Sequence, residues 1–315
     1  MGTLISAFWI LSANSWMQTP QGVERIGDRF YVRDFAAVIF NPSFPYRFAH
    51  MVIAAFLTTA FVVAGVSAWH LLRDGYRETA RRGLVYGLGL AAILAPAQIV
   101  AGDQHGLDVR EHQPMKVAAM EGLWQTTRGA PLLLFAWPDQ AAAVNRYELA
   151  VPTLASLILA HSRDGEVKGL NEVAAADRPN VLLVFFAFRV MVGLGFAMLG
   201  IAWVGQVLRV RGSLYNARWF LRLAVLAAPA GFVAVIAGWI VAEAGRQPWV
   251  VYGQMRTADA VSPVAAGVVT GSLILFVAVY AALLTAYLVY SFKVIRQGPA
   301  AAESGEPHLV MAGRP

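Results

Sequence analysis

Apolar runs of about the 20 residues needed to cross a bilayer's hydrocarbon recur six times, near 2–19, 48–72, 83–102, 181–208, 219–243 and 265–291. They are continuous, without the period-two alternation of an outer-membrane barrel, so the spanning element is the α-helix, which satisfies its backbone internally. The expected fold class is all-α, a polytopic transmembrane helix bundle of six spans. The chain is 58% hydrophobic and 14% charged, against roughly 45–50% and 25% in soluble proteins, which excludes a soluble globular enzyme. It contains no cysteine, and that removes disulfide frameworks, thiolate metal sites and iron–sulfur clusters. A bound metal would have to be held by His, Met or carboxylates.

The net charge of +6 does not imply a nucleic-acid partner, because the basic residues sit in short connections between spans. Arg73, Arg77, Arg81 and Arg82 follow the second span, Arg209, Arg211, Arg218 and Arg222 flank the fourth-to-fifth turn, and Lys293, Arg296 and Arg314 lie in the tail. With six alternating spans these clusters share one side, which the positive-inside rule makes cytoplasmic, with both termini. Connection 20–47 fits less well, its Arg25, Arg29, Arg33 and Arg47 being partly balanced by Glu24, Asp28 and Asp34. The chain thus divides into spans one to three (1–102), an outer loop (103–180), spans four to six (181–292) and a cytoplasmic tail (293–315). The loop's apolar stretches, such as Leu149–Ala160, are too short to cross, and its Trp- and Pro-containing apolar composition reads as a docked functional loop. The first apolar run starts directly after Met1 without a basic flank, so it is no secretory signal. No internal repeat is visible, which counts against an inverted-repeat transporter.

Few residues in the spans can do chemistry. Of the six histidines, only His50 and His70 fall in a span, roughly 30 Å apart along a helix, while His105, His112, His161 and His308 fall outside. His70, beside Trp69, suits an interface. Because no other span offers a histidine at the level of His50, a bis-histidine haem is expected to be excluded, and a haem at His50 would need a methionine or carboxylate opposite. Met191 in the fourth span is such a partner, or plain core filling. Arg189 lies in the same apolar run and needs a counter-charge, for which a haem propionate is one candidate. Glu243, in the last turn of the fifth span, needs a cation, either Arg246 or a metal; Trp239 shares its face. In the loop, GDQHG at 102–106 precedes QPMKVAAMEGLWQT at 113–126, where Pro114 suits the first turn of a helix carrying Lys116 and Glu121. Those two are about 140° apart around a helix and are not an ordinary pair. They could flank a polar-headed apolar ligand with Glu121 accepting a proton, but read alone the segment is a solvated amphipathic surface helix.

Taken together, GTLISAFWILSANSWMQ, RFAHMV, GDQHG with KVAAMEGLWQT, FFAFRVM and GWIVAEAGRQPW, in this order over nearly the whole chain, closely resemble subunit I of the cytochrome bd type quinol oxidases. The resemblance implies an enzyme subunit of the bacterial inner membrane that passes electrons from quinol through b haems toward oxygen, releases protons outside and works with a second subunit. It implies that His50 and Met191 are axial ligands of a low-spin haem b with Arg189 beside it, and that Lys116 and Glu121 serve quinol oxidation in the family's periplasmic Q-loop. Glu243 would be the ligand of a high-spin haem b, with Trp239 and Arg246 at the haems. Family members have further N-terminal helices carrying the groups associated with haem d, and the loop is of the short Q-loop kind. The expectation is therefore an N-terminally truncated member, with a non-catalytic haem-binding fragment or partner subunit as the second reading. On that expectation the chain alone retains a low-spin spectrum without oxygen consumption. A proton-coupled transporter using Glu243 and Arg189 is the third reading.

Overall fold

The computed structural model describes residues 2–27, 29–73 and 76–298. Asp28, His308 and Arg314, along with most of the expected tail, lie outside the described residues. Among the described residues ten α-helices run in chain order: α1 (Gly2–Gln18), α2 (Phe35–Ile39), α3 (Phe44–Leu72), α4 (Arg77–His112), α5 (Pro114–Glu121), α6 (Leu154–Ala160), α7 (Val181–Val210), α8 (Arg218–Ala227), α9 (Ala230–Ala244) and α10 (Ala266–Gln297). The connections hold four two-stranded antiparallel ladders: β1 (Val23–Ile26) with β2 (Arg29–Val32), β3 (Thr127–Arg128) with β6 (Glu166–Val167), β4 (Leu132–Asp139) with β5 (Val144–Val151), and β7 (Trp249–Val251) with β8 (Met255–Arg256). The expectation of an all-α chain thus holds for the bundle but not for its connections.

Among the described residues, five segments are long and apolar enough to cross a membrane: Phe35–Leu72, Arg77–His112, Ala175–Val210, Arg218–Ala244 and Ala266–Gln297. Six were expected. The difference is α1, whose 17 residues span about 25 Å, somewhat less than the hydrocarbon; its last turns carry the polar side chains of Asn14, Ser15 and Gln18. Two boundaries also differ. Run 219–243 is not one helix, because Pro229, which has no N–H to donate, separates α8 from α9. In the other direction, α4 continues through Pro96 to His112, some 54 Å in all. GDQHG therefore belongs to the end of a helix rather than to a surface loop.

The core forms where α3, α4, α7 and α8 meet, around Leu57, Phe61, Leu84, Leu88, Ala202 and Phe220, all almost fully buried. Small residues allow the close approach that drives helix packing in lipid. A Cβ on Gly87 of α4 would lie 2.7 Å from Ala60 O and 2.9 Å from Ala64 N of α3. At one end of the bundle, the Arg81 guanidinium lies 4.9 Å from the centre of the Tyr215 ring, which brings two of the basic clusters together. At the other end sits segment 113–180. By contrast, α10 buries none of its residues.

Gly87→Leu should lower stability by about 1–3 kcal/mol through overpacking, measured as a fall in unfolding temperature in detergent. Gly89, two residues on, has nothing within 4 Å of an added Cβ; Gly89→Leu should leave the temperature nearly unchanged.

Candidate functional site

Segment 113–126 is not the solvated surface helix that its composition suggests. Pro114 does open α5, but every residue from Met115 to Glu121 is buried, because α5 packs between the ends of α4 and α7. Lys116 Nζ donates to Gln18 Oε1 at 2.5 Å, and the Gln18 amide in turn donates to Ala242 O at 3.2 Å. Burial, followed by the charges of Arg47 and Arg246, pulls the Lys116 ammonium well below the usual lysine range.

Glu121, at the far end of the same short helix, turns to a different partner. Its Oε2 lies 3.1 Å from Arg189 Nη2. Arg189 also donates to Leu133 O, from Nε at 3.0 Å and Nη2 at 2.6 Å, and to Met120 O. Its guanidinium carbon sits 4.0 Å from the centre of the Phe185 ring. The counter-charge that an arginine in an apolar run requires is thus a loop carboxylate. Burial raises the Glu121 carboxyl above its usual range, and the Arg189 charge partly offsets the rise. Lys116 and Glu121 are not an ion pair, as their spacing indicated.

A second constellation surrounds Glu243. Its Oε2 accepts from Arg246 Nη2 at 2.6 Å and its Oε1 from Asn14 Nδ2 at 2.9 Å, while Asn14 Oδ1 accepts from Arg47 Nη2. The Arg47 guanidinium carbon is 5.9 Å from the centre of the Trp239 ring. Asp108 is buried nearby, accepting from Ser43 Oγ at 2.8 Å. Arg47, Lys116, Arg246, Glu243 and Asp108 thus form one buried charged cluster. Arg47 Nε and both Nε and Nη1 of Arg246 are buried and make no hydrogen bond to protein. The sequence reading missed Asn14, Gln18, Arg47 and Asp108; the signal for the first two was a polar stripe, Asn14 and Gln18 four apart, in an otherwise apolar run.

His50 lies against α4. Its Nε2 is 3.1 Å from Gln98 Nε2, its Nδ1 makes no hydrogen bond, and a Cβ on Gly102 would come within 3.1 Å of the ring. His105 stands beside it, ring centres 5.8 Å apart. This overturns the reasoning that no other span offers a histidine at this level, which rested on ending the helix at 102. Met191 lies on α7, where a Cβ on Gly238 of α9 would be 3.0 Å from its Sδ. Both α3 and α7 pack on α4 and α9, so the two side chains belong to helices flanking common neighbours.

An imidazole and a thioether suit an iron whose other positions a macrocycle fills. The unspent N–H groups of Arg47 and Arg246 suit its acidic substituents. The residues present fit a haem on these counts.

Fold and site together define a helical membrane protein with a buried charged cluster at one end. The family model for cytochrome bd terminal oxidase subunit I matches residues 1–299. The chain is 32% identical to subunit 1 of the Escherichia coli cytochrome bd-II ubiquinol oxidase, over 97% of this chain and 73% of that protein. It is 37% identical to subunit 1 of the Bacillus subtilis cytochrome bd ubiquinol oxidase, over 98% and 68%. The solved bd oxidase from Geobacillus thermodenitrificans is similar in structure, with a TM-score of 0.85 at 33% identity over 95% of this chain and 68% of that one. The chain belongs to the cytochrome bd terminal oxidase subunit I family.

Asn14→Leu would strip Arg47 and Glu243 of their shared bridge and leave both less satisfied. Thermal unfolding should show a loss of about 1–3 kcal/mol. A loss below a few tenths would show that the bridge contributes nothing.

Proposed function

We propose that this chain oxidises quinol at Lys116 and Glu121 and that His50 and Met191 would hold a low-spin haem b. As a family member it is a subunit of a terminal respiratory quinol oxidase. The observation that carries the finer reading is the Glu121–Arg189 pair: it fastens the loop's buried acid to the span that bears Met191, two residues further on.

When bound, the haem would supply one-electron acceptance. The protein's part is proton handling and orientation. Glu121, held by Arg189 and raised by burial, is placed to take a proton from a quinol hydroxyl as general base. Lys116, in its low-dielectric setting, would donate a hydrogen bond to the quinol's other polar end. Arg47 and Arg246 would neutralise haem propionates, and Glu243 would serve as the ligand of a high-spin haem b with Trp239 as a flat apolar wall. Haem d and oxygen reduction belong to the full complex with its second subunit. The basic end at Arg81 and Arg209 would face the cytoplasm with both termini, α1 acting as a sixth, short span of the bacterial inner membrane. Protons released by Glu121 then leave on the outer, periplasmic side, through the Q-loop.

Glu121→Gln keeps a hydrogen-bond acceptor for Arg189 but cannot take a proton. Quinol oxidation by the assembled oxidase should fall about 10²-fold or more, with the low-spin b spectrum unchanged; undiminished turnover would contradict the assignment. The pH profile gives a second check. The Arg189 charge lowers the Glu121 pKa, so Arg189→Met should raise it, and the acid limb of kcat/KM should move to higher pH. An unmoved limb would remove Glu121 from the base role.

A further inference from the structure

The outward face of the β4–β5 hairpin is only partly covered within the fold, although it is strongly aromatic. Phe135, Trp137 and Leu149 are about half exposed or more, and Tyr147 is 82% exposed. Tyr147 also adopts φ 56°, the left-handed region that residues with a Cβ occupy at a cost. It sits where the ladder steps from Phe135↔Leu149 to Trp137↔Arg146, across a bulge. A fold that holds a large side chain outward on strained backbone calls for a surface to receive it.

The hairpin's height is set by α7. Phe135 and Trp137 pack on Phe186, with ring centres 5.9 and 5.7 Å away. Arg209 lies in the last turn of α7, at the end opposite the hairpin. The 30 residues of α7 are about 45 Å long, some 15 Å more than the hydrocarbon, so with α7 centred in the bilayer Phe186, about 8 Å from the Val181 end, falls at the other boundary and Arg189 a turn inside it. That is headgroup depth, where amphipathic aromatic rings concentrate. The chemistry of the face fits the same layer. A cleft of about 400 Å³ is lined by Phe135, Trp137, Asp139, Arg146 and Tyr147, and the Arg146–Asp139 pair, 2.6 Å apart, sets opposite charges among the rings.

We propose that the β4–β5 hairpin is a foot seated in the phospholipid headgroup layer, with Tyr147 and Trp137 in the interface and Arg146 and Asp139 facing the lipid phosphate and its counter-group. The foot is coupled to the site behind it. Leu133 O, at the base of β4, accepts two hydrogen bonds from Arg189, so lipid contact positions the strand that holds the Glu121–Arg189 pair.

The lack of cysteine in the chain makes the test direct. In the assembled oxidase in phospholipid nanodiscs, nitroxides are placed at Tyr147→Cys, at Leu149→Cys and, as an aqueous reference, at Asp164→Cys in the polar turn 161–166. Labelled parent oxidase gives the background from the partner subunit. The foot predicts that collisions with oxygen outweigh those with a water-soluble nickel chelate at 147 and 149, in the reverse ratio to 164. Should Tyr147→Cys fail to fold, Leu149→Cys and quenching of Trp137 by bromolipids, read as the difference from Trp137→Phe, distinguish the same outcomes. Chelate-dominated collisions at 147 and 149, or labels shielded from both reagents by a protein partner, would overturn the proposal.

Discussion

The docking of the long connection onto this bundle depends on one requirement, that the guanidinium of Arg189 inside α7 find a counter-charge. A bare cation at that level costs several kcal/mol. The chain meets the cost with Glu121, two backbone carbonyls and an aromatic face. Those partners come from α5 and β4, so satisfying one span residue docks the middle of the long connection onto the membrane domain. Removing either member of such a pair leaves the other uncompensated, at about 3–5 kcal/mol. The same bonds that fix the loop also set the environment in which Glu121 holds or releases a proton.

The cluster around Glu243 works by a different balance. Here the N–H groups of Arg47 and Arg246 are only partly spent. A fully satisfied polar network rigidifies a fold, while one with spare buried donors suits an anionic occupant. The proposed haem propionates answer that surplus. Asn14 and Gln18 of α1 bind this cluster from one side, because Gln18 receives Lys116 while Asn14 bonds both Arg47 and Glu243.

Five of the six expected spans were legible in the sequence, because a hydrophobic run of 20 residues admits one fold in lipid. Their ends were not. Pro229 splits one run and Pro96 fails to stop another, because neighbouring helices decide whether a freed backbone group is satisfied. That error had a chemical consequence: ending α4 early placed His105 in a surface loop and hid its approach to His50. Among the site residues, Lys116, Glu121, Arg189, Glu243 and Arg246 were visible as charges in apolar surroundings. Their partners were not, since Glu121 and Arg189 are 68 residues apart and only tertiary packing brings them together. Arg47 was read as part of an untidy connection, yet it is 7% exposed and belongs to the cluster.

The nearness of His105 sharpens the central claim, that His50 and Met191 are the pair that ligates the low-spin haem. Near-infrared magnetic circular dichroism of the oxidised, assembled oxidase separates histidine–methionine from bis-histidine ligation. The account predicts the histidine–methionine signature in the native protein, its conversion to a bis-histidine one in Met191→His, and no change in His105→Leu. A bis-histidine signature in the native protein, abolished by His105→Leu, would contradict it.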